Sequence, residues 1–123
     1  MSHVSQAAAF MRTAVRSLSG VLIWGCHFLF IYATTAVVCA RGWDAQRWLG
    51  VSLLPGVIGA ATVAAGTIAG WMIARAVRSA RHQRTQDVSA RFVDWITAAL
   101  CALALVAIAW ETLPLLLLPN CAA

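Results

Sequence analysis

Three long stretches of the chain are almost entirely apolar, and the charged residues are concentrated in the short segments between them. The stretches cover residues 17–40, 49–74 and 92–118. A helix rises about 1.5 Å per residue, so about 20 apolar residues cross the hydrocarbon core of a bilayer. The pattern therefore predicts one all-α membrane domain over residues 1–123, with three transmembrane helices.

The first stretch is predicted to stay in the membrane as an anchor. Its apolar run is too long for a signal peptide, and no A-x-A cleavage site ends it. A lipoprotein signal fits poorly because Val38, which is not a small residue, precedes Cys39. Residues 1–16 are predicted to form an interfacial start to this span, with Arg12 and Arg16 on one helical face.

Composition supports lipid as the solvent. The chain is 62% hydrophobic and 11% charged, whereas an average soluble domain is about a quarter charged. Every basic residue is an arginine and the net charge is +5. The arginines adjoin apolar stretches and no aromatic-rich RNA motif accompanies them, which disfavours nucleic acid as a partner. No C-x-x-C, G-x-S-x-G, H-E-x-x-H or glycine-rich phosphate loop occurs, so no catalytic, metal-binding or cofactor-binding site is predicted and the chain is not expected to be an enzyme.

The arginines also predict the orientation, because cytoplasmic loops collect basic residues. With the N-terminus inside, the inner segments hold most of them: Arg12, Arg16, Arg75, Arg78, Arg81, Arg84 and Arg91. The outer loop, residues 41–47, holds only Arg41 and Arg47. The pattern predicts a cytoplasmic N-terminus and, in a bacterial inner membrane, a periplasmic C-terminus.

The basic loop, residues 75–91, carries an arginine at every third position over its first half. This spacing predicts that the second span continues as a helix into water. Long arginine side chains can reach the phosphates of anionic phospholipids, and an acidic protein partner is the alternative. The arginines concerned are Arg75, Arg78, Arg81 and Arg84.

The second span is rich in small residues and has Pro55 near its start, which is expected to bend or delay the helix. Small side chains let helix backbones approach closely in lipid. The positions expected to pack against another helix, in the same chain or in a partner, are Gly56, Gly59, Gly66 and Gly70.

Two ionisable residues, His27 and Glu111, lie within the apolar stretches, where such groups are functional candidates. If the midpoints of the first and third spans lie near positions 28 and 105, the two residues are about 10 Å apart in depth, too far for a direct hydrogen bond unless the helices tilt. Glu111 is then level with Tyr32, Thr34 and Thr35, from which it is expected to receive a hydrogen bond.

His27 is expected to bond a neighbouring helix, with a partner or lipid contact as the alternative. Ligation of haem or a metal is less favoured because no second ligand lies at helical spacing. On the third span, small and polar residues share one face that is expected to turn inward or onto a partner. They are Asp94, Thr97, Cys101, Ala104, Ile108 and Glu111.

The predicted topology places Cys39 and Cys121 on the same, oxidising side of the membrane, each just past the end of a span. A disulfide between them is a hypothesis. Cys26 and Cys101 lie in mid-span and are interpreted as small packing residues.

The chain contains Trp24-Gly-Cys-His27-Phe28, the exit Cys39-Ala-Arg41-Gly42 and the C-terminal Pro119-Asn-Cys121. In these motifs it resembles a group of short bacterial membrane proteins that share W-x-x-H-F, C-A-R-G and P-x-C and are encoded with cytochrome c oxidase of the caa3 kind. The resemblance covers the first span and the last few residues. It implies an accessory subunit or assembly partner of a haem–copper terminal oxidase, with haem and copper in the partner subunits and none in this chain. It also favours pairing of Cys39 with Cys121.

The first expectation is therefore a non-catalytic accessory subunit that packs against integral membrane subunits through the small residues of span two and the polar face of span three. The alternative is a small homo-oligomeric transporter or channel with Glu111 in a proton or cation path. A third is a haem- or quinone-binding electron carrier that uses His27.

Overall fold

The computed structural model of the chain describes residues 2–82, 87–118 and 121. Four helices account for nearly all of these residues: α1 (Ser2–Ser17), α2 (Ser19–Ala40), α3 (Leu53–His82) and α4 (Val88–Leu117). The last three are each long and apolar enough to cross a membrane. The prediction of an all-α chain with three candidate spans is confirmed.

Helix α1 is the fourth helix, and it joins α2 with little interruption. At Leu18 the backbone has φ −86° and ψ 2°, yet the helical hydrogen bonds continue from Leu18 to Ala14 (2.9 Å) and from Leu22 to Leu18 (3.0 Å). None of the α1 residues is buried. The predicted interfacial segment is thus a helical extension of the first span.

The segment between α2 and α3 is more ordered than predicted. A short 3-10 turn, Trp43–Ala45, precedes two strands, β1 (Arg47–Trp48) and β2 (Val51–Ser52), which pair antiparallel. The two residues between them, Leu49 and Gly50, have φ of 53° and 82°, as the tightest hairpin turns require. This hairpin delays α3 to Leu53, four residues after the predicted start of the span at 49.

Helix α3 continues through the arginines to His82, which confirms the predicted helical extension. Pro55 lies in its first turn, where the backbone N–H groups have no partner within the helix and a proline is tolerated. The inward face is formed by Leu54, Ile58, Ala65, Ala69, Ala76 and Ala80.

Helix α4 begins at Val88, four residues before the predicted position 92, because Asp87 caps it. The Asp87 carboxylate accepts bonds from the backbone N–H groups of Ser89 (3.2 Å) and Ala90 (3.4 Å), as an N-cap residue does. The predicted small and polar face of α4 turns inward. Its buried residues are Asp94, Thr97, Ala98, Cys101, Ala104, Ile108 and Thr112.

Helices α2 and α4 run parallel, and α3 runs antiparallel to both. Among the glycines, the tightest contact is at Gly20, where an added Cβ would lie 2.7 Å from the backbone carbonyl carbon of Leu100 and 2.8 Å from the backbone nitrogen of Cys101. The glycines predicted for packing do not make such contacts. An added Cβ at Gly56 or Gly66 would meet a side chain at 3.8 or 3.9 Å, and at Gly59 or Gly70 nothing within 4 Å. Gly59 and Gly70 therefore make no close contact within the chain at the Cβ position, and their packing against a partner stays a prediction.

Candidate functional site

Five polar side chains from α2, α3 and α4 form a hydrogen-bonded group inside the bundle, which we call the mid-span cluster: Trp24, His27, Thr62, Glu111 and Thr112. His27 Nδ1 lies 2.9 Å from Glu111 Oε1, and His27 Nε2 lies 3.0 Å from Thr62 Oγ1. The indole Nε1–H of Trp24 donates to Glu111 Oε2 at 3.1 Å. One imidazole ring thus connects all three candidate spans.

Helical geometry places these groups. Trp24 and His27 are three residues apart on α2, so both can reach the same carboxyl on α4. The Thr62 hydroxyl donates to the carbonyl oxygen of Ile58 at 2.8 Å. The Thr112 hydroxyl likewise donates to Ile108 at 2.6 Å, and the two hydroxyl oxygens are 3.4 Å apart. Each threonine therefore holds its hydroxyl in a fixed direction.

The cluster is shielded from its surroundings. The His27 side chain is 2% exposed and that of Glu111 is 16% exposed. An isolated charged side chain in mid-membrane costs about 2.5–3.5 kcal/mol on insertion scales. Hydrogen bonding of each group by the other removes part of this cost, so the two residues depend on one another.

The predicted separation of His27 and Glu111 by about 10 Å in depth is wrong, because their side chains are in direct contact. The error lies in aligning the midpoints of the two spans. The bundle instead pairs position 27 with position 111, an offset of 84 residues, whereas the midpoints 28 and 105 imply a smaller one. Helix α4 is therefore displaced by several residues from the position assumed.

The threonines and the tyrosine predicted for Glu111 lie elsewhere, for the same reason. Tyr32 is 57% exposed and packs against Phe28 with ring centroids 4.4 Å apart. Thr34 is half-buried, and the buried hydroxyl of Thr35 has no hydrogen-bond partner in the structure as described. The bonds of Glu111 go to Trp24 and His27 instead, and Trp24 is not among the predicted partners.

A second polar contact joins the end of α1 to α4. Arg16 donates to the Asp94 carboxylate at 2.6 Å; the side chain of Asp94 is 2% exposed and that of Arg16 is 43% exposed. Just beyond, the hydroxyl of Ser19 donates to the backbone of Arg16 at 2.7 Å and lies 3.8 Å from the sulfur of Cys101. The sequence feature that could have predicted this ion pair is the position of Arg16 and Asp94 at the same end of two parallel spans.

At the opposite end, Cys39 and Cys121 form a disulfide with their Cα atoms 5.4 Å apart. The pairing agrees with the hypothesis made from the topology and the resemblance. Beside it, Val38 packs with Ile31, Leu54 and Ile58 of the apolar core. Of the two remaining cysteines, Cys101 is buried, as expected of a packing residue, whereas Cys26 is exposed on the outer surface of α2.

The order Thr62–His27–Glu111 resembles the hydroxyl–imidazole–carboxylate order of hydrolase triads. Acyl transfer also needs free N–H donors for the developing oxyanion. Thr62 lies inside α3, whose backbone N–H groups are bonded along the helix. What the arrangement does supply is a set of hydrogen bonds between α2, α3 and α4. In the part of the chain that the structure describes, no three His, Cys, Asp or Glu side chains are grouped as a metal site.

The arginines predicted to meet lipid headgroups separate into two groups. Arg75 lies over the ring of Trp71 on its own helix, with its guanidinium carbon 5.3 Å from the ring centroid. Arg78 and Arg81, with His82, line a concave surface that encloses a volume of about 420 Å³. Arg84 falls outside the described residues.

Comparison of the chain with models of known protein families, with curated proteins and with solved structures returned no match. The class that the fold defines is a helical membrane protein with three candidate spans. Within that class, this chain is distinguished by a histidine–carboxyl pair that links all three spans.

Proposed function

We propose that this protein is a non-catalytic accessory or structural subunit of a larger membrane complex in the bacterial inner membrane, with its N-terminus in the cytoplasm and its C-terminus in the periplasm. The observation that carries the proposal is that Glu111, an acidic residue within a candidate span, is bonded inside one chain to His27 and Trp24. A carboxyl used to join helices is suited to a packing role.

The outward faces of the bundle support the proposal that the chain contacts a partner subunit. The polar face of α4 is used within the chain, so it cannot serve as the docking surface that the sequence suggested as one option. On α3, Gly56 and Ala60 are exposed, and Gly59 and Gly70 have open space above them. Small residues allow a partner helix to approach closely, and we propose that this side of α3 meets the partner.

The identity of the partner follows from the resemblance. The W-x-x-H-F, C-A-R-G and P-x-C motifs favour a haem–copper terminal oxidase of the caa3 kind. The pairing of Cys39 with Cys121 supports a periplasmic location for that end, because disulfides form in oxidising compartments.

Purification of the tagged chain from native membranes in a mild detergent tests the proposal. We expect haem–copper subunits to co-migrate with it and to be identified by haem absorption and mass spectrometry. Gly59→Leu should release the partner, whereas Gly25→Leu on α2, whose added Cβ also meets nothing within 4 Å, is the matched control. A pure homo-oligomer would contradict the proposal, and a Soret band in the isolated chain would support an electron carrier.

The transporter remains a second candidate on one observation. Trp24, Glu111, His27 and Thr62 form a continuous hydrogen-bonded line across three helices. Three spans are too few to enclose a path, so the chain would have to oligomerise. Proton or cation flux into liposomes that contain the chain alone, abolished by Glu111→Gln, would favour this function over the first.

A further inference from the structure

The hydrogen bonds of the mid-span cluster constrain which atoms of His27 and Glu111 carry a proton. A threonine hydroxyl carries one hydrogen. Thr62 uses it to donate to the Ile58 carbonyl at 2.8 Å. Toward His27 Nε2, at 3.0 Å, Thr62 can then only accept. The neighbouring Thr112 cannot change this, since its own hydrogen is directed to Ile108 at 2.6 Å. With both hydroxyls in these directions, His27 carries its hydrogen on Nε2.

The other ring nitrogen then determines the state of Glu111. His27 Nδ1 lies 2.9 Å from Glu111 Oε1, a hydrogen-bond distance that needs a hydrogen between the two atoms. That hydrogen lies either on the carboxyl, facing a neutral ring, or on Nδ1, facing a carboxylate. In both cases the two side chains together have no net charge.

The competing state has one proton fewer. In it, Nδ1–H would donate to a Glu111 carboxylate, and a bare Nε2 would have to accept from Thr62. The hydroxyl of Thr62 would then turn away from Ile58. A full negative charge would also remain within the span, with only the Trp24 indole and the imidazole N–H groups to stabilise it. Charges in low-dielectric surroundings without a counter-ion are strongly disfavoured.

We infer that His27 and Glu111 together form a binding site for one proton, which keeps the pair neutral and His27 in the Nε2–H form. The groups that face the pair are Trp24 from α2, Thr62 from α3 and Thr112 from α4. None of these three titrates near neutral pH, and within the described ranges no further ionisable side chain bonds to the pair. Loss of the proton turns the Thr62 hydroxyl from Ile58 to His27. Proton occupancy therefore changes a side-chain hydrogen bond within α3.

This inference concerns the chain alone and does not depend on the partner proposed above. It makes a specific prediction for Glu111→Gln. An amide can donate N–H to His27 Nδ1 and accept the Trp24 N–H on its oxygen, so it reproduces the proton-loaded carboxyl. Against a His27 with hydrogen on Nδ1, either orientation of the amide would place a donor against a donor.

Nuclear magnetic resonance of the ¹⁵N-histidine-labelled full chain in detergent micelles at neutral pH tests the site. Loss of its resonances in His27→Ala assigns the His27 signals apart from those of His3 and His82. We expect a protonated Nε2 in the wild type and the neutral Nε2–H form in Glu111→Gln, with unchanged resistance to unfolding. Glu111→Leu, which offers neither bond, should lose that resistance.

An unprotonated Nε2 in the wild type would overturn the inference whatever the chain binds. So would an unprotonated Nε2 in Glu111→Gln, because the amide would then not be equivalent to the loaded carboxyl. Co-purification of a partner is unaffected by either result, so failure of this inference is distinguishable from failure of the proposed function.

Discussion

Gly20 is the position where a single added methyl group should do most damage. An added Cβ would lie 2.7 Å from both the carbonyl carbon and the carbonyl oxygen of Leu100, and 2.8 Å from the backbone nitrogen of Cys101. These are backbone atoms of α4 and cannot rotate away as a side chain can. Gly20→Ala therefore requires α2 and α4 to separate by about 0.7 Å to reach an ordinary contact of about 3.4 Å.

The expected cost follows from the measured penalty of overpacking. Extra methyl groups in a packed interior destabilise proteins by about 1–3 kcal/mol. Alanine is intrinsically favoured over glycine in helices by about 1 kcal/mol, which partly masks the clash. Gly25→Ala supplies this baseline, since it lies on the same helix and its added Cβ would meet nothing within 4 Å. The difference between the two variants isolates the helix contact.

The measurement is reversible unfolding of both variants in mixed detergent micelles, followed by circular dichroism. We expect the free energy of unfolding of Gly20→Ala to lie about 1–3 kcal/mol below that of Gly25→Ala. The neighbouring contact between Ser19 and Cys101 should weaken as well, making the Cys101 thiol more reactive. Equal stability of the two variants would refute the close α2–α4 contact.

Two further predictions concern the ends of the bundle. Cys39→Ser should free its partner thiol for labelling and lower the free energy of unfolding under oxidising conditions by about 2–4 kcal/mol; labelling of both cysteines in the wild type would contradict the disulfide. The double variant Arg78→Gln/Arg81→Gln should retain less phosphatidylglycerol after purification, because both arginines line one concave surface. The variant Arg41→Gln/Arg47→Gln removes the same charge at the other end and should retain wild-type amounts, whereas equal loss in both would exclude a specific site.

Much of the fold could be predicted because it depends on patterns that repeat over many residues. Apolar length fixed the number of spans, and the spacing of Arg75, Arg78 and Arg81 indicated that α3 continues beyond the last apolar turn. The hairpin could not be found in this way. It depends on positive φ at Leu49 and Gly50, and leucine gives no local signal for that conformation. The start of α4 could have been predicted, because aspartate, here Asp87, is a favoured N-cap residue.

The polar site was harder to predict because it depends on the register between helices that are far apart in sequence. Gly20 was overlooked for the same reason, since a glycine is recognisable as a contact point only when its opposite residue is known. The glycines predicted for packing, among them Gly66 and Gly70, all lie on α3. The tightest glycine contact instead involves Gly20, an isolated glycine at the start of α2.

The predicted pairing of Cys39 with Cys121 implies nearly the correct register between α2 and α4, whereas alignment of the span midpoints does not. Cys39 and Cys121 are separated by 82 residues. If the same offset is applied to His27, it gives position 109, which is within one helical turn of Glu111. Arg16 and Asp94, at the far end, are separated by 78. The contacts with offsets of 78, 84 and 82 hold α4 beside α2 at three depths: through Arg16 at the end of α1, through His27 in the middle, and through Cys121 beyond the end of α4.

Because the register has three independent determinants, removal of one should not release the others. In Cys39→Ser the contacts at Gly20 and Arg16 still fix α4 against α2, so His27 should keep its bond to Glu111. The ¹⁵N resonances of His27 report this directly and should match those of the wild type. A changed His27 spectrum in Cys39→Ser would mean that the covalent link alone sets the register and that the inner contacts merely follow from it.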